Sequence, residues 1–131
     1  MKYLYILLLI FPTFIFSQKT TNEVFLNTEI RSLKSKISLP LDLGDGYLVI
    51  DIKNEDNQNC VFEYSTTSSK EGITKDKSMV ILDHSSTPFS QELYERKINL
   101  VYRYYKQNTN EILKEIVISP DDWVNPPDSD S

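Results

Sequence analysis

The residue types of a hydrolytic triad occur together once in this chain, as Asp83-His84-Ser85-Ser86. Acyl transfer needs a serine, a histidine and a carboxylate that meet in space with the imidazole in the middle. Neighbours on a strand point to opposite faces and cannot pass a proton directly, and the glycines of a nucleophile elbow are missing. The expectation for His84, the sole histidine, is therefore a surface imidazole at a strand end. Cys60 is the sole cysteine, and one histidine with one cysteine cannot furnish a zinc site. Calcium needs only oxygen ligands. Asp42, Asp45, Glu55, Asp56 and Asn57 lie on two turns, but a strand over Tyr47–Lys53 would hold those turns about 20 Å apart. No spacing among the nineteen acids singles out a carboxylate pair for glycoside hydrolysis. No phosphate-cradling glycine loop occurs. Neither a catalytic residue nor a metal or other cofactor is assigned. Trp123, in Asp121-Asp122-Trp123, is expected to fold back onto the sheet as an anchor.

The elements that would carry these residues follow from patterning. Met1-Lys2, the apolar run Tyr3–Phe16 and Ser17 before a polar stretch make the three-part pattern of a secretory signal peptide over residues 1–17. Its apolar run is too short to span a bilayer as a helix, and no cysteine follows it for lipid attachment. Residues 18–36 form a lead-in: Leu26, Ile30, Leu33 and Ile37 have helical spacing, but many residues are indifferent helix formers. A short helix and an irregular strand both remain open. From Ile37 the period changes to two, and Pro40 places that strand at a sheet edge. Gly44-Asp45-Gly46 is a turn, after which Leu48, Ile50 and Ile52 would face the core. Asn54–Asn59 is a polar turn, Cys60–Tyr64 a strand with a buried, inert thiol, and Ser65–Ser78 a surface loop. Met79–Asp83 reads as a short strand and Ser90–Arg96 as the lead-in to a long one.

Lys97–Ser119 is a hairpin whose register can be argued. A five-residue loop, Gln107–Glu111, sets Lys106 against Ile112, Leu100 against Ile118, Val101 against Val117, Tyr102 against Ile116, and Tyr105 against Leu113. It also sets Arg103 against Glu115, whereas the alternative register opposes Arg103 to Lys114, and like charges face to face are unfavourable. One face of the hairpin would be core. The other carries Val101, Arg103, Tyr105, Leu113 and Val117, which form a contact patch unless the N-terminal segment covers them.

Turn signals at this spacing predict an all-β domain over residues 37–119, a single immunoglobulin-like β-sandwich of about six to seven strands. An acidic tail of Pro and Asp follows over residues 120–131, with no fixed structure past Trp123. The resemblance to immunoglobulin-like sandwiches lies in strand spacing alone, since the cysteine–tryptophan–cysteine signature is absent. A net charge of −5 without basic clusters argues against nucleic acid as a partner, and no membrane insertion is expected once the leader is removed. The function this implies is that of a small secreted or periplasmic protein that binds another protein or a small ligand and is not an enzyme. An inhibitor or immunity-type protein against a secreted enzyme is the alternative, and a carboxylate-dependent hydrolase a third reading. Protein recovered from the envelope or culture fluid of the producing cell should begin at Gln18 by N-terminal sequencing; a first residue of Met1 would refute the leader.

Overall fold

A polar residue that can accept from the free backbone N–H groups, set before an apolar run, starts a helix. Two such starts decide the middle of this chain. In the computed structural model, which describes residues 21–126, the Asp76 side chain accepts from the Met79 N–H and opens the helix Lys77–His84. Thr87 accepts from the Ser90 N–H and, with Pro88 in the first turn, opens the helix Pro88–Arg96. Lys97 closes that second helix in the left-handed conformation. The strand expected over Met79–Asp83 and the strand lead-in expected over Ser90–Arg96 are therefore both helical. Four apolar residues in a row fit either state, and the caps on either side resolve the choice.

The elements in order are helix α1 over residues 21–36, β1 (Leu41–Gly44), β2 (Tyr47–Glu55), β3 (Asn59–Thr66), α2 (Lys77–His84), α3 (Pro88–Arg96), β4 (Asn99–Lys106) and β5 (Ile112–Ile118). One-turn 3-10 segments lie at Lys70–Gly72 and Pro120–Trp123. The open question over the lead-in is settled as helix, with Asn22, Leu26 and Ile30 buried along one stripe. The strands form one five-stranded sheet in the order β1-β2-β3-β4-β5. All neighbours are antiparallel except β3 and β4, which are parallel. Parallel neighbours need a crossover, and α2 and α3 supply it.

The architecture is thus a mixed sheet with helices on one face, and the immunoglobulin-like sandwich is not what forms. Residues 79–83 and 90–96, which a second sheet would have used, are spent on the crossover. Leu26 and Ile30 from α1, Val80 and Ile81 from α2, and Leu93 from α3 pack with Ile52, Cys60, Leu100, Ile116 and Ile118 of the sheet. Burial of each such side chain stabilises by about 1.5–3 kcal/mol before entropy is counted. Trp123 packs against the same cluster, as anticipated. The expected leader lies outside the described residues, as does the tail beyond Pro126.

Two bulges revise the facing of side chains. Between Val49 and Asp51 the register of β2 slips by one residue against β3. An extra residue in one strand moves the residues after it to the other face. Val49 and Ile52 are consequently buried, whereas Ile50 is exposed and lies with Leu48 and Tyr105 on the uncovered side. The expectation that Leu48 and Ile50 face the core fails for this reason. The strand expected from Ile37 is shorter, beginning at Leu41 after Pro40, but it stands at the sheet edge as proline requires.

In the β4–β5 hairpin Leu100 opposes Ile118, Val101 Val117, Tyr102 Ile116, Arg103 Glu115 and Tyr104 Lys114, the pairing that keeps like charges apart. Beyond that point Tyr105 opposes Ile112, not Leu113, and the Lys106 N–H donates to the Glu111 carbonyl. The turn has the even loop, the body has the odd-loop register, and Leu113 is the extra residue that joins them.

Arg103 turns out to be a hub. It donates to Glu115 at 2.7 Å and reaches Glu55 with both terminal nitrogens, at 2.7 and 3.2 Å. Glu63 lies 3.6 Å away and is buried, held also by Lys53 and by the Tyr105 hydroxyl at 2.6 Å. Swapping the charges of Arg103 and Glu115 therefore sets a new carboxylate against Glu55 and Glu63. By urea unfolding, Arg103→Met should cost about 1–3 kcal/mol and the more exposed Glu115→Gln less than about 1 kcal/mol. The double reversal should remain as unstable as Arg103→Glu alone; recovery of wild-type stability would contradict the hub.

Candidate functional site

Parallel pairing of β3 with β4 sets like positions side by side, so a two-residue aromatic repeat in each strand becomes a patch of rings. Phe62 lies opposite Tyr102 and Tyr64 opposite Tyr104. The Tyr64 and Tyr104 rings stack at 4.8 Å and 15°, and Phe62 tilts on Tyr102 at 5.5 Å. Tyr47, at the start of β2, meets Tyr104 edge-on at 6.1 Å. Offset and edge-on contacts suit the ring quadrupoles and add about 0.5–1.5 kcal/mol each beyond area burial.

Where this patch passes the end of the helical layer it opens into a groove of about 300 Å³. Its floor is Tyr64, Tyr102 and Tyr104; Leu43 from β1 and Met79 from α2 stand at its sides, with Asp45 and Lys75 at the rim. Leu43 is 54% and Met79 46% exposed, so two large apolar side chains flank the opening. The turn that carries Asp45 needs positive φ at Gly44, Asp45 and Gly46, a demand that glycine meets at no steric cost. Lys114 secures the other bank by donating to the Ile73 and Lys75 carbonyls, at 3.1 and 2.5 Å.

Burial pushes the Tyr102 and Tyr104 hydroxyls up to about 12, and Tyr64 is raised as well. All three stay protonated at ordinary pH and can serve as hydrogen-bond donors. His84 ends α2 and is half-buried, not the surface imidazole at a strand end that its neighbours suggested. It shares a 2.6 Å hydrogen bond between Nε2 and the Tyr102 hydroxyl, with Phe62 and Phe89 around its ring. Burial holds its pKa below the usual imidazole value, so it is neutral here. The groove is an amphipathic slot with phenol donors at its base.

The triad-like tetrad does not converge. Asp83 pairs with Lys75, Ser85 donates to the Leu82 carbonyl, and His84 turns to Tyr102. Among the described residues no three His, Cys, Asp or Glu side chains are grouped to hold a metal ion. Asp42 accepts from the Gly44 N–H, while Glu55 is tied to Arg103. Cys60 is fully buried and its thiol is pushed up to about 12 by burial, which fits an inert core thiol.

Of the expected contact patch, Val101, Arg103, Tyr105 and Val117 share the face opposite the helices. Leu113 does not join them: the bulge turns it to pack against the core cluster. Val101 is buried and Arg103 is locked in its ion pairs, so of these residues chiefly Val117 stays exposed, at 41%, on a face that also shows Ile50 at 38%. Sequence reasoning does not assemble Tyr47, Tyr64, Leu43 and Met79. The aromatic alternation of Cys60–Tyr64 and Leu100–Tyr104 is visible in the chain, but their side-by-side placement depends on the crossover.

The fold is a five-stranded mixed sheet layered on one face by three helices. No family model matches the chain, and no curated protein matches it. Two solved structures share the fold. A Pseudomonas aeruginosa protein described as secreted aligns with a TM-score of 0.61 at 14% identity, covering 77% of this chain and 91% of its own. The type II secretion system pilotin AspS from Vibrio cholerae aligns with a TM-score of 0.57 at 7% identity, covering 82% and 96%. At these identities the likeness is one of fold. Among the described residues no helix is long and apolar enough to cross a membrane.

His84 makes acid stability a test of this geometry. A pKa held below 6.5 means that the unfolded chain binds the proton more readily, so stability is lost as pH falls from about 6.5. Glu55 is held below its usual carboxylate range by Arg103, although burial opposes this. For Asp122 burial also opposes, and Lys77 and Ser119 outweigh it. Both add a second loss below about pH 4.5. Melting temperature followed from pH 8 to 3 should fall in two stages, and His84→Gln should remove the first alone. Retention of the first stage in His84→Gln would contradict a neutral His84.

Proposed function

We propose that this chain is a small exported protein that works without catalysis, by holding a segment of another protein in the tyrosine-floored groove. The observation that carries this is the pairing of two large exposed apolar side chains, Leu43 and Met79, with buried phenol donors beneath them. Folding ordinarily hides such side chains, and clefts with apolar walls and a few convergent polar groups are the usual form of binding sites. Tyrosine is also favoured at interfaces, because its ring is apolar and its tip polar.

Export is supported by the leader pattern of residues 1–17, and the fold neighbours are in keeping with it: one is described as secreted, the other is a secretion-system pilotin. A non-catalytic role is supported by how the acid–base groups are engaged. The phenols are held protonated, His84 is committed to Tyr102, and Glu55, Glu63 and Glu115 surround Arg103. An inhibitor or immunity-type role is the same binding with a secreted enzyme as the partner.

Site-specific photocrosslinking in the producing cell separates the two faces of the sheet. A photoreactive residue at Met79 should trap one partner in stoichiometric yield, whereas one at Val117 should trap none. Crosslinks from Val117 alone would move the working surface to the uncovered face, and none from either position would overturn the binding reading.

A further inference from the structure

We propose that the uncovered face of the sheet carries a second binding site, a trough that takes an uncharged saccharide against the Tyr105 ring. It lies across the sheet from the tyrosine-floored groove and goes beyond the binding reading above.

Strand pairing makes the trough. Ser65 of β3 lies opposite Leu48 of β2 on one side and Tyr105 of β4 on the other. Residues opposite one another in a sheet share a face, so a small side chain sits between two large ones. Pro40 before β1, Ile50 at the β2 bulge and the β4–β5 turn complete the walls around about 440 Å³, a volume in the range of small-ligand sites. The row continues to Asp42 in β1 and Ile112 in β5, so Leu48, Ser65 and Tyr105 all stand on strands with neighbours on both sides. The floor therefore has no free sheet edge on which a peptide could add as a strand.

Tyr105 supplies a platform. Its hydroxyl donates to the buried Glu63 carboxylate at 2.6 Å, which tethers the tip of the ring. On the helical face Tyr64 packs against both Tyr102 and Tyr104, whereas Tyr105 shares no ring contact among the described residues. The negative face of an aromatic ring attracts polarised C–H groups, and the apolar face of a sugar ring presents a row of them.

The turn supplies the hydrogen-bonding groups. Its shape is held by the main chain and by Thr109. The N–H groups of Lys106, Thr109 and Gln107 donate to the Glu111, Lys106 and Thr66 carbonyls at 2.9, 3.1 and 2.9 Å. The Thr109 hydroxyl donates to the Lys106 carbonyl at 2.8 Å. The side-chain amides of Gln107, Asn108 and Asn110 take no part in this and make no hydrogen bond among the described residues, yet all three residues line the trough. An amide offers donors and an acceptor together, the combination that sugar hydroxyls match.

Charge decides the class of ligand. No residue that lines the trough is charged, in a chain of which 25% is. Asp42 opposes Leu48 but does not line the trough, and its carboxylate accepts from the Gly44 N–H. Glu63 is occupied by Tyr105, Lys53 and Arg103. An anion would find no cation in this lining and a cation no carboxylate, whereas a neutral sugar sets its C–H face on Tyr105 and Leu48 and its hydroxyls on the amides.

The test follows the amide NMR spectrum of the nitrogen-labelled chain from Gln18 onward during titration with cellotetraose and with N-acetylated chitotetraose. At least one of them should shift the signals of Leu48, Ser65, Tyr105 and Asn108 while leaving those of Tyr64 and Met79 in place. Anionic tetragalacturonate and cationic deacetylated chitotetraose should bind at least about tenfold more weakly, because their charges would be desolvated without a partner. Tyr105→Ala should weaken the tighter neutral tetramer at least about tenfold through loss of the stacked ring. Where Tyr105→Ala lowers the melting temperature, the surface double variant Gln107→Ala, Asn110→Ala replaces it and should weaken binding about three- to tenfold. Absence of shifts with both neutral tetramers would overturn the proposal. So would equal binding of a charged tetramer, shifts confined to the Tyr64–Met79 groove, or neutral binding that survives both variants.

Discussion

The parallel contact between β3 and β4 is the constraint on which the rest of the molecule depends. Antiparallel neighbours can be joined by a tight turn, as β2 and β3 are through Asp56 and Asn57, both at positive φ. Parallel neighbours cannot, because the chain must return to the starting end of the sheet. That return consumes the stretch between Thr66 and Asn99, places α2 and α3 on one face, and leaves the other face without a helical layer. A second sheet was never available to such a chain: its residues went into the crossover.

The same contact produces the two chemically distinct faces. In-register parallel strands line up Cys60 with Leu100, Phe62 with Tyr102 and Tyr64 with Tyr104 on the helical side. The alternate positions line up Val61 with Val101 and Glu63 with Arg103 on the other. An apolar and aromatic row therefore backs onto an ion-pair row through a single thickness of sheet. Val61 and Val101 are both buried although neither belongs to the main core; period two places them on the face of Arg103, Lys53 and Glu63, whose long stems can shield them. The centre of the uncovered face is in this way self-satisfied, while the aromatic face has a gap at the start of α2 where phenols and exposed apolar side chains meet.

Much of the local structure was legible because it depends on near neighbours. The hairpin body pairs as electrostatics requires, since placing Arg103 opposite Lys114 would have faced like charges. The glycine turn at Gly44-Asp45-Gly46 and the edge position of the proline strand obey backbone sterics. The failures have two sources. Met79–Leu82 reads equally well as strand or helix until the flanking caps at Asp76 and Thr87, which are local, are weighed. Leu48, Ile50 and Leu113 alternate regularly in sequence, and the bulges that turn them depend on the partner strand.

The sequence by itself located the five segments that become the sheet, though with Met79–Asp83 added as a further strand, and it determined the register of Arg103 against Glu115, the inertness of Cys60 and the lack of a convergent triad at His84. These rest on residue type, period and charge, which act over a few residues. Only the tertiary structure decided that β3 and β4 run parallel, that Leu113 leaves the patch it was expected to join, and that Tyr47, Tyr64, Tyr102 and Tyr104 come together around one groove. Strand direction carries no local signature, because an apolar strand presents the same pattern of side chains to a parallel or an antiparallel neighbour. The groove exists only once that direction is chosen.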